Sequence, residues 1–181
     1  MRRWFAAALA LAASMAFAAD ESVRTLVVDG EPIVYTLHRH PPGAHLTEAS
    51  APLAPDTPLN AFRLLNRHLV AGDIEEAALL SNEPKRRFVV LREYRDAVGE
   101  EPFRKVFQRY FLPENRLVAE ARIGGHSLLV WRLADEKHLA GQYYMQVENR
   151  WLMDDVPSAV RLQLRRVLDS FRATDGGDPP Q

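Results

Sequence analysis

The hydrophobic period of this chain changes twice, and that order of periods limits the possible folds more than any other feature. From residue 58 to 111, apolar side chains recur every three or four positions. From 117 to 153 they alternate or form short unbroken runs, and from 157 the helical spacing returns. Periods near 3.6 and 2 mark helices and strands respectively. Several short helices, then an antiparallel β-meander, then a C-terminal helix specify an α+β fold, with helices expected on one face of a sheet.

The helical section opens at Thr57-Pro58, an N-cap followed by proline at the first helical position. Leu59, Phe62, Leu65 and Leu69 then lie on one face, and Gly72 ends the helix. Asp73 and Glu76 have the spacing of a capping box for a short helix through Leu80. Glu83-Pro84 begins a third helix reaching about Ala97, with Gly99 as its stop. A fourth, 100–111, carries Phe103, Val106, Phe107, Tyr110 and Phe111 as an apolar stripe that reads as core.

The meander consists of strands at 117–123, 126–133, 142–147 and 150–153, joined by Gly124-Gly125, a looser stretch around Asp135-Glu136-Lys137, and Glu148-Asn149. Residues 127–131 are apolar on both faces apart from Ser127, which makes this strand central. Pro157 leads the last helix, with Val160, Leu164, Val167, Leu168 and Phe171 along one side and Arg161, Arg165 and Arg172 mostly opposite.

Ahead of these elements, Asp29-Gly30 between apolar runs at 23–28 and 33–37 predicts an extra N-terminal β-hairpin over residues 20–40. Five prolines then fall within 41–58, so 41–57 reads as a proline-rich linker that sets the hairpin apart from a main domain at 58–173. The tail, 174–181, lacks any core-forming side chain and is expected to be disordered.

Residues 1–19 read as a signal peptide. Arg2 and Arg3 precede an apolar run from Phe5 to Phe17, and Ala16-Phe17-Ala18 suits signal-peptidase cleavage. The expected location is the periplasm by the general secretory route, although Arg2-Arg3 partly matches a twin-arginine signal. No later stretch is long and apolar enough to span a bilayer. The chain has no cysteine, which excludes a lipobox, disulfides and thiolate chemistry. Without Arg2 and Arg3, 21 basic residues face 24 acidic ones, a balance that speaks against a nucleic-acid partner.

The Gly-Asp-Ile-Glu-Glu-Ala-Ala turn at 72–78, followed by a meander ending Tyr143-Tyr144-Met145 and Arg150-Trp151-Leu152, resembles small exported proteins of the nuclear-transport-factor-like, or cystatin-like cone, group over about residues 58–155. The resemblance implies a curved sheet wrapped around a helix to form a conical pocket. It also implies that some relatives act as isomerases or hydratases through an acid–base pair.

Three sets of side chains carry candidate chemistry. Glu120 and Arg122 alternate on one strand and share a face; Gln142 and Tyr144 can join them as ligand-binding groups across the sheet. Glu120, His126, Tyr144, Asp154 and Asp155 are the candidate acid–base residues, Asp154-Asp155 reading equally as caps of the last helix. His38 and His40 point to one face of a strand with His45 nearby, an arrangement that suits zinc or copper. The basic run Lys85-Arg86-Arg87 with Arg92 and Arg95 reads as a mixed-charge helix face, since Glu83, Glu93 and Asp96 are interleaved. No phosphate loop, serine-hydrolase elbow or cofactor motif occurs. The expected function is a non-catalytic envelope module, binding a protein partner or a small apolar ligand. A cone-fold acid–base enzyme and a metal-binding periplasmic protein are the alternatives.

Overall fold

The computed structural model describes residues 20–46, 53–134 and 139–174. The expected signal peptide and most of the expected tail lie outside the described residues, as does the centre of the proline-rich stretch. The fold is α+β. Strands β1 (Asp20–Val28) and β2 (Glu31–Arg39) come first. Helices α1 (Pro58–Ala71), α2 (Ile74–Ala78), α3 (Pro84–Val98) and α4 (Glu100–Gln108) follow, the last ending in a 3-10 turn at Arg109–Phe111. Then come β3 (Arg116–Ile123), β4 (His126–Arg132), β5 (Leu139–Val147), β6 (Arg150–Met153) and α5 (Ala159–Ala173).

All six strands form one antiparallel sheet in chain order, β1 to β6. The hairpin turns at Asp29 and Gly30, both at positive φ (54° and 80°), the geometry that right-twisted strands prefer. β2 continues into β3, pairing Thr36 with Arg122 and His38 with Glu120. The hairpin is thus part of the sheet and not a separate unit. The described part of the proline-rich stretch is also tied down: Leu46 is buried, Arg63 donates to the carbonyls of Leu46 and His45, and Trp151 N–H donates to Pro55 O.

Helices cover both sides of the sheet, not one. Leu129 and Trp131 of β4 face α1–α4, where they meet Phe62, Leu65, Leu69, Ile74, Leu91 and Phe103. Leu128 and Val130 face α5, where they meet Leu164, Val167, Leu168 and Phe171 along with Ile33, Tyr35 and Leu37 of the hairpin. A strand apolar on both faces needs cover on both, since burying each large side chain contributes about 1.5–3 kcal/mol. A bulge at Val118 shifts the β3 register, so that Leu117 faces the four-helix side while Ala119 and Ala121 face α5.

Local signals set both ends of α1. Thr57 caps α1 by accepting from Asn60 N–H, and Gly72 closes it in the left-handed conformation at φ 86°. Asp73 precedes α2 but makes no side-chain cap bond, so the expected capping box is not formed; its carboxylate lies 3.9 Å from His68 instead.

Two predictions follow from this packing. Deleting residues 20–40 strips the α5 side of Leu26, Ile33, Tyr35 and Leu37, and the remainder loses its cooperative thermal transition by circular dichroism. At Gly141 an added Cβ would lie 2.8 Å from Leu168 Cδ2 and 3.0 Å from Leu128 Cδ1, both inside the core. Gly141→Ala therefore lowers unfolding free energy by about 1–3 kcal/mol in urea titration.

Candidate functional site

Between the four-helix layer and the sheet lies a cavity of about 330 Å³. Phe62, Leu65, Leu69, Leu91, Phe107, Tyr110 and Trp131 form its apolar wall, while Asn66, Arg87, Gln142 and Arg172 are its polar members. Aromatic contacts build the wall: Phe62 and Trp131 approach in a tilted arrangement to 4.9 Å between ring centres, and Tyr110 and Trp131 edge to face at 6.0 Å. The cavity reaches the sheet at Ala140, Gly141 and Gln142. There β5 has no ladder partner in β6, whose pairing starts only at Tyr144.

The polar groups around this cavity are held in place. Tyr144 O–H donates to Gln142 Oε1 at 3.0 Å, and Gln142 Nε2 contacts Met153 Sδ at 2.5 Å. Asn66 is buried and donates to Phe62 O at 2.9 Å. Arg172 Nε donates to Leu139 O at 3.0 Å. Arg87 is fixed by a two-pronged ion pair with Asp155. Tyr144 is fully buried; burial, and secondarily the Glu120 carboxylate, raises its phenol well above the ordinary value, so it acts as a protonated donor.

The sheet brings Glu120, Arg122, Gln142 and Tyr144 to one face, as the strand alternation implied. Glu120 is buried and accepts from Ser127 Oγ at 2.8 Å and Arg122 Nε at 2.5 Å. The Arg122 guanidinium also lies 5.5 Å above the Trp151 ring. This carboxylate is locked into an ion pair beside a second cavity of about 220 Å³ lined by Glu21, Thr36, His38, His40, Thr57 and Leu59.

The remaining acid–base candidates stand elsewhere. His126 pairs with Met145 on the opposite sheet face from Glu120 and Tyr144, and its Nδ1 lies 3.3 Å from Asp154 Oδ2. Asp154 is buried, accepting from Asn82 Nδ2 at 2.8 Å and Val156 N–H at 3.3 Å. Asp155 accepts from Ser81 Oγ at 2.6 Å and from Arg87, while its own N–H donates to Asn82 Oδ1 at 2.8 Å. The two aspartates therefore staple the 80–83 segment to the end of β6 and do not cap α5. That cap is Ser158, which accepts from Arg161 N–H.

The three histidines do not converge. His38 and His40 meet edge to face at 4.6 Å between ring centres, but His45 Nδ1 lies 3.2 Å from the Arg116 guanidinium. Among the described residues no three His, Asp or Glu side chains gather closely enough to hold a metal ion. His40 is half-buried, its Nε2 has no partner, and its pKa is lowered to about 4, first by burial and then by the neighbouring His38 and Arg63.

Of the residues lining this cavity, sequence reasoning named Gln142 as a candidate and did not single out Asn66, Arg87 or Arg172. One signal was available: Asn66 sits on the apolar stripe of α1, four residues after Phe62 and three before Leu69. A polar residue at a core position needs a reason. Comparison with family models, curated proteins and solved structures finds no match for this chain.

The state of His40 gives a pH signature. Folded His40 stays neutral down to about pH 4, whereas the unfolded chain protonates it near 6.5, so the unfolded state binds the extra proton between these values. Stability falls as pH drops through this window and is flat above it for this group. In urea titrations, wild type loses about 1 kcal/mol more than His40→Gln between pH 7 and pH 5, a figure discounted for partial exposure.

Proposed function

We propose that this protein is a non-catalytic cell-envelope module that binds a small amphipathic molecule between its four-helix layer and its sheet. The cavity of about 330 Å³ carries the reading. It lies at the lower end of the range for small-molecule sites and has their usual make-up, a mostly apolar wall with a few fixed polar groups. Aromatic faces take the apolar part of the ligand. Asn66, Gln142, Arg87 and Arg172 meet its polar end. Amides and guanidinium groups orient a ligand but do not exchange protons near neutral pH, which suits binding better than acid–base turnover. The resemblance to the cone group points the same way, because such domains hold their pocket between helix and sheet. The envelope assignment is supported by the leader-like pattern of residues 1–19.

The uncharged fluorophore N-phenyl-1-naphthylamine tests the site. Wild type is expected to enhance its emission with saturable, one-to-one binding. Ala140 lines the cavity from the sheet, and Ala140→Phe fills it. That variant should lose at least about 1.4 kcal/mol of binding, roughly tenfold in Kd, while melting at or above the wild-type temperature. Leu69→Phe provides a second filling variant from the helix side. Undiminished binding by both folded variants would remove this cavity as the ligand site.

A further inference from the structure

We propose that the groove between the N-terminal turns of α3 and α5 is a second binding site, one for a phosphate group. Arg86, Arg161, Arg165, Tyr143 and Ser158 line a cavity of about 480 Å³ there. A smaller one of about 230 Å³ shares Arg86, Asp155 and Arg161 with it and adds Arg87.

The charge balance of this groove is one-sided. Arg87 and Asp155 neutralise each other in their two-pronged pair. Asp169, which also acts on Tyr143, is paired with Arg172 at 3.4 Å. Among the described residues Arg86, Arg161 and Arg165 form no ion pair with a carboxylate. Three guanidinium groups from two helices therefore face one groove whose lining carboxylate, Asp155, is already paired with Arg87. Such groups repel one another, and a bound dianion relieves that repulsion.

The fork geometry suits an oxyanion such as phosphate. Guanidinium forks match phosphate oxygens in pairs, a match that a lysine ammonium does not offer. Arg161 is held over the Tyr143 ring at 5.2 Å, so one fork is positioned before any ligand arrives. The α5 helix, 15 residues long, directs its positive end toward the same place through Ser158. The Arg87–Asp155 pair and the Ser81 and Asn82 bonds fix the two sides of the groove relative to each other.

Two sources could supply such a phosphate, a free ion or a lipid headgroup. Ser158 also lines an adjoining open groove of about 560 Å³ with Leu79, Met145, Val147, Leu152 and Val156, which gives an acyl chain somewhere to lie. The cavity between the four-helix layer and the sheet is a separate site, and its filling variants leave this groove intact.

The test uses the full chain with two probes, inorganic phosphate followed by amide chemical shifts, and flotation with phosphatidylglycerol vesicles against phosphatidylcholine vesicles. Wild type should show saturable shifts centred on α3 and α5 residues at the groove, or should float with phosphatidylglycerol alone. Arg161→Gln and Arg165→Gln should each weaken that binding about tenfold, whereas Lys85→Gln, outside the lining, should change it less than twofold. Phosphate binding with these effects assigns the site to a free ion; vesicle binding alone with these effects assigns it to a lipid headgroup. Binding to neither probe, or equal losses in Lys85→Gln and Arg161→Gln, would overturn the proposal, the second by showing only diffuse attraction.

Discussion

The structure depends on the two-sided burial of β4. Leu128 and Val130 on one face and Leu129 and Trp131 on the other are all nearly or wholly buried. A strand of this kind is stable only with a full layer on each side. The block of four helices provides one layer. The other is α5, whose Leu164, Val167, Leu168 and Phe171 also pack with Ile33, Tyr35 and Leu37 where the hairpin extends the same sheet face. The small side chains of Ala119 and Ala121 then let α5 approach the sheet, and Gly141 lies against Leu168. The bulge at Val118 breaks the alternation of β3, so that Leu117 and Ala119, two positions apart, face opposite layers.

Much of this was legible in the sequence. The four helices, the meander and the closing helix follow from apolar spacing, and Asp29-Gly30 marks the hairpin with a turn that needs positive φ at both positions. The both-sided apolarity of 127–131 also held the evidence for a second layer, although nothing local says which element would supply it. Layer assignment is a contact between residues far apart in the chain, and periodicity reports only that a face is apolar, not what covers it.

The candidate sites were legible in part for the same reason. Alternation along β3 and β5 correctly places Glu120, Arg122, Gln142 and Tyr144 on one face. The arginine groove was not legible, because Arg86 and Arg161 belong to helices 75 positions apart and each looks like an ordinary solvated charge in its own segment. Asp154-Asp155 misled in the opposite direction. Acidic residues before a helix suggest caps, but here the partners are Ser81, Asn82 and Arg87, about 70 residues away.

The strictly sequential strand order has a consequence for how the chain assembles. Four of the five strand seams join neighbours across short turns or loops, while the β2–β3 seam must bracket every residue from 40 to 115. Contact between its two edges closes a long loop and costs more closure entropy than the local pairings do. Loop entropy grows only logarithmically, by roughly 0.6 kcal/mol per doubling of length. The entropy of closing that seam is therefore modest whatever the length of the connection, and it is the packing of α1–α4 on Leu129 and Trp131 that fixes how long the helical block must be.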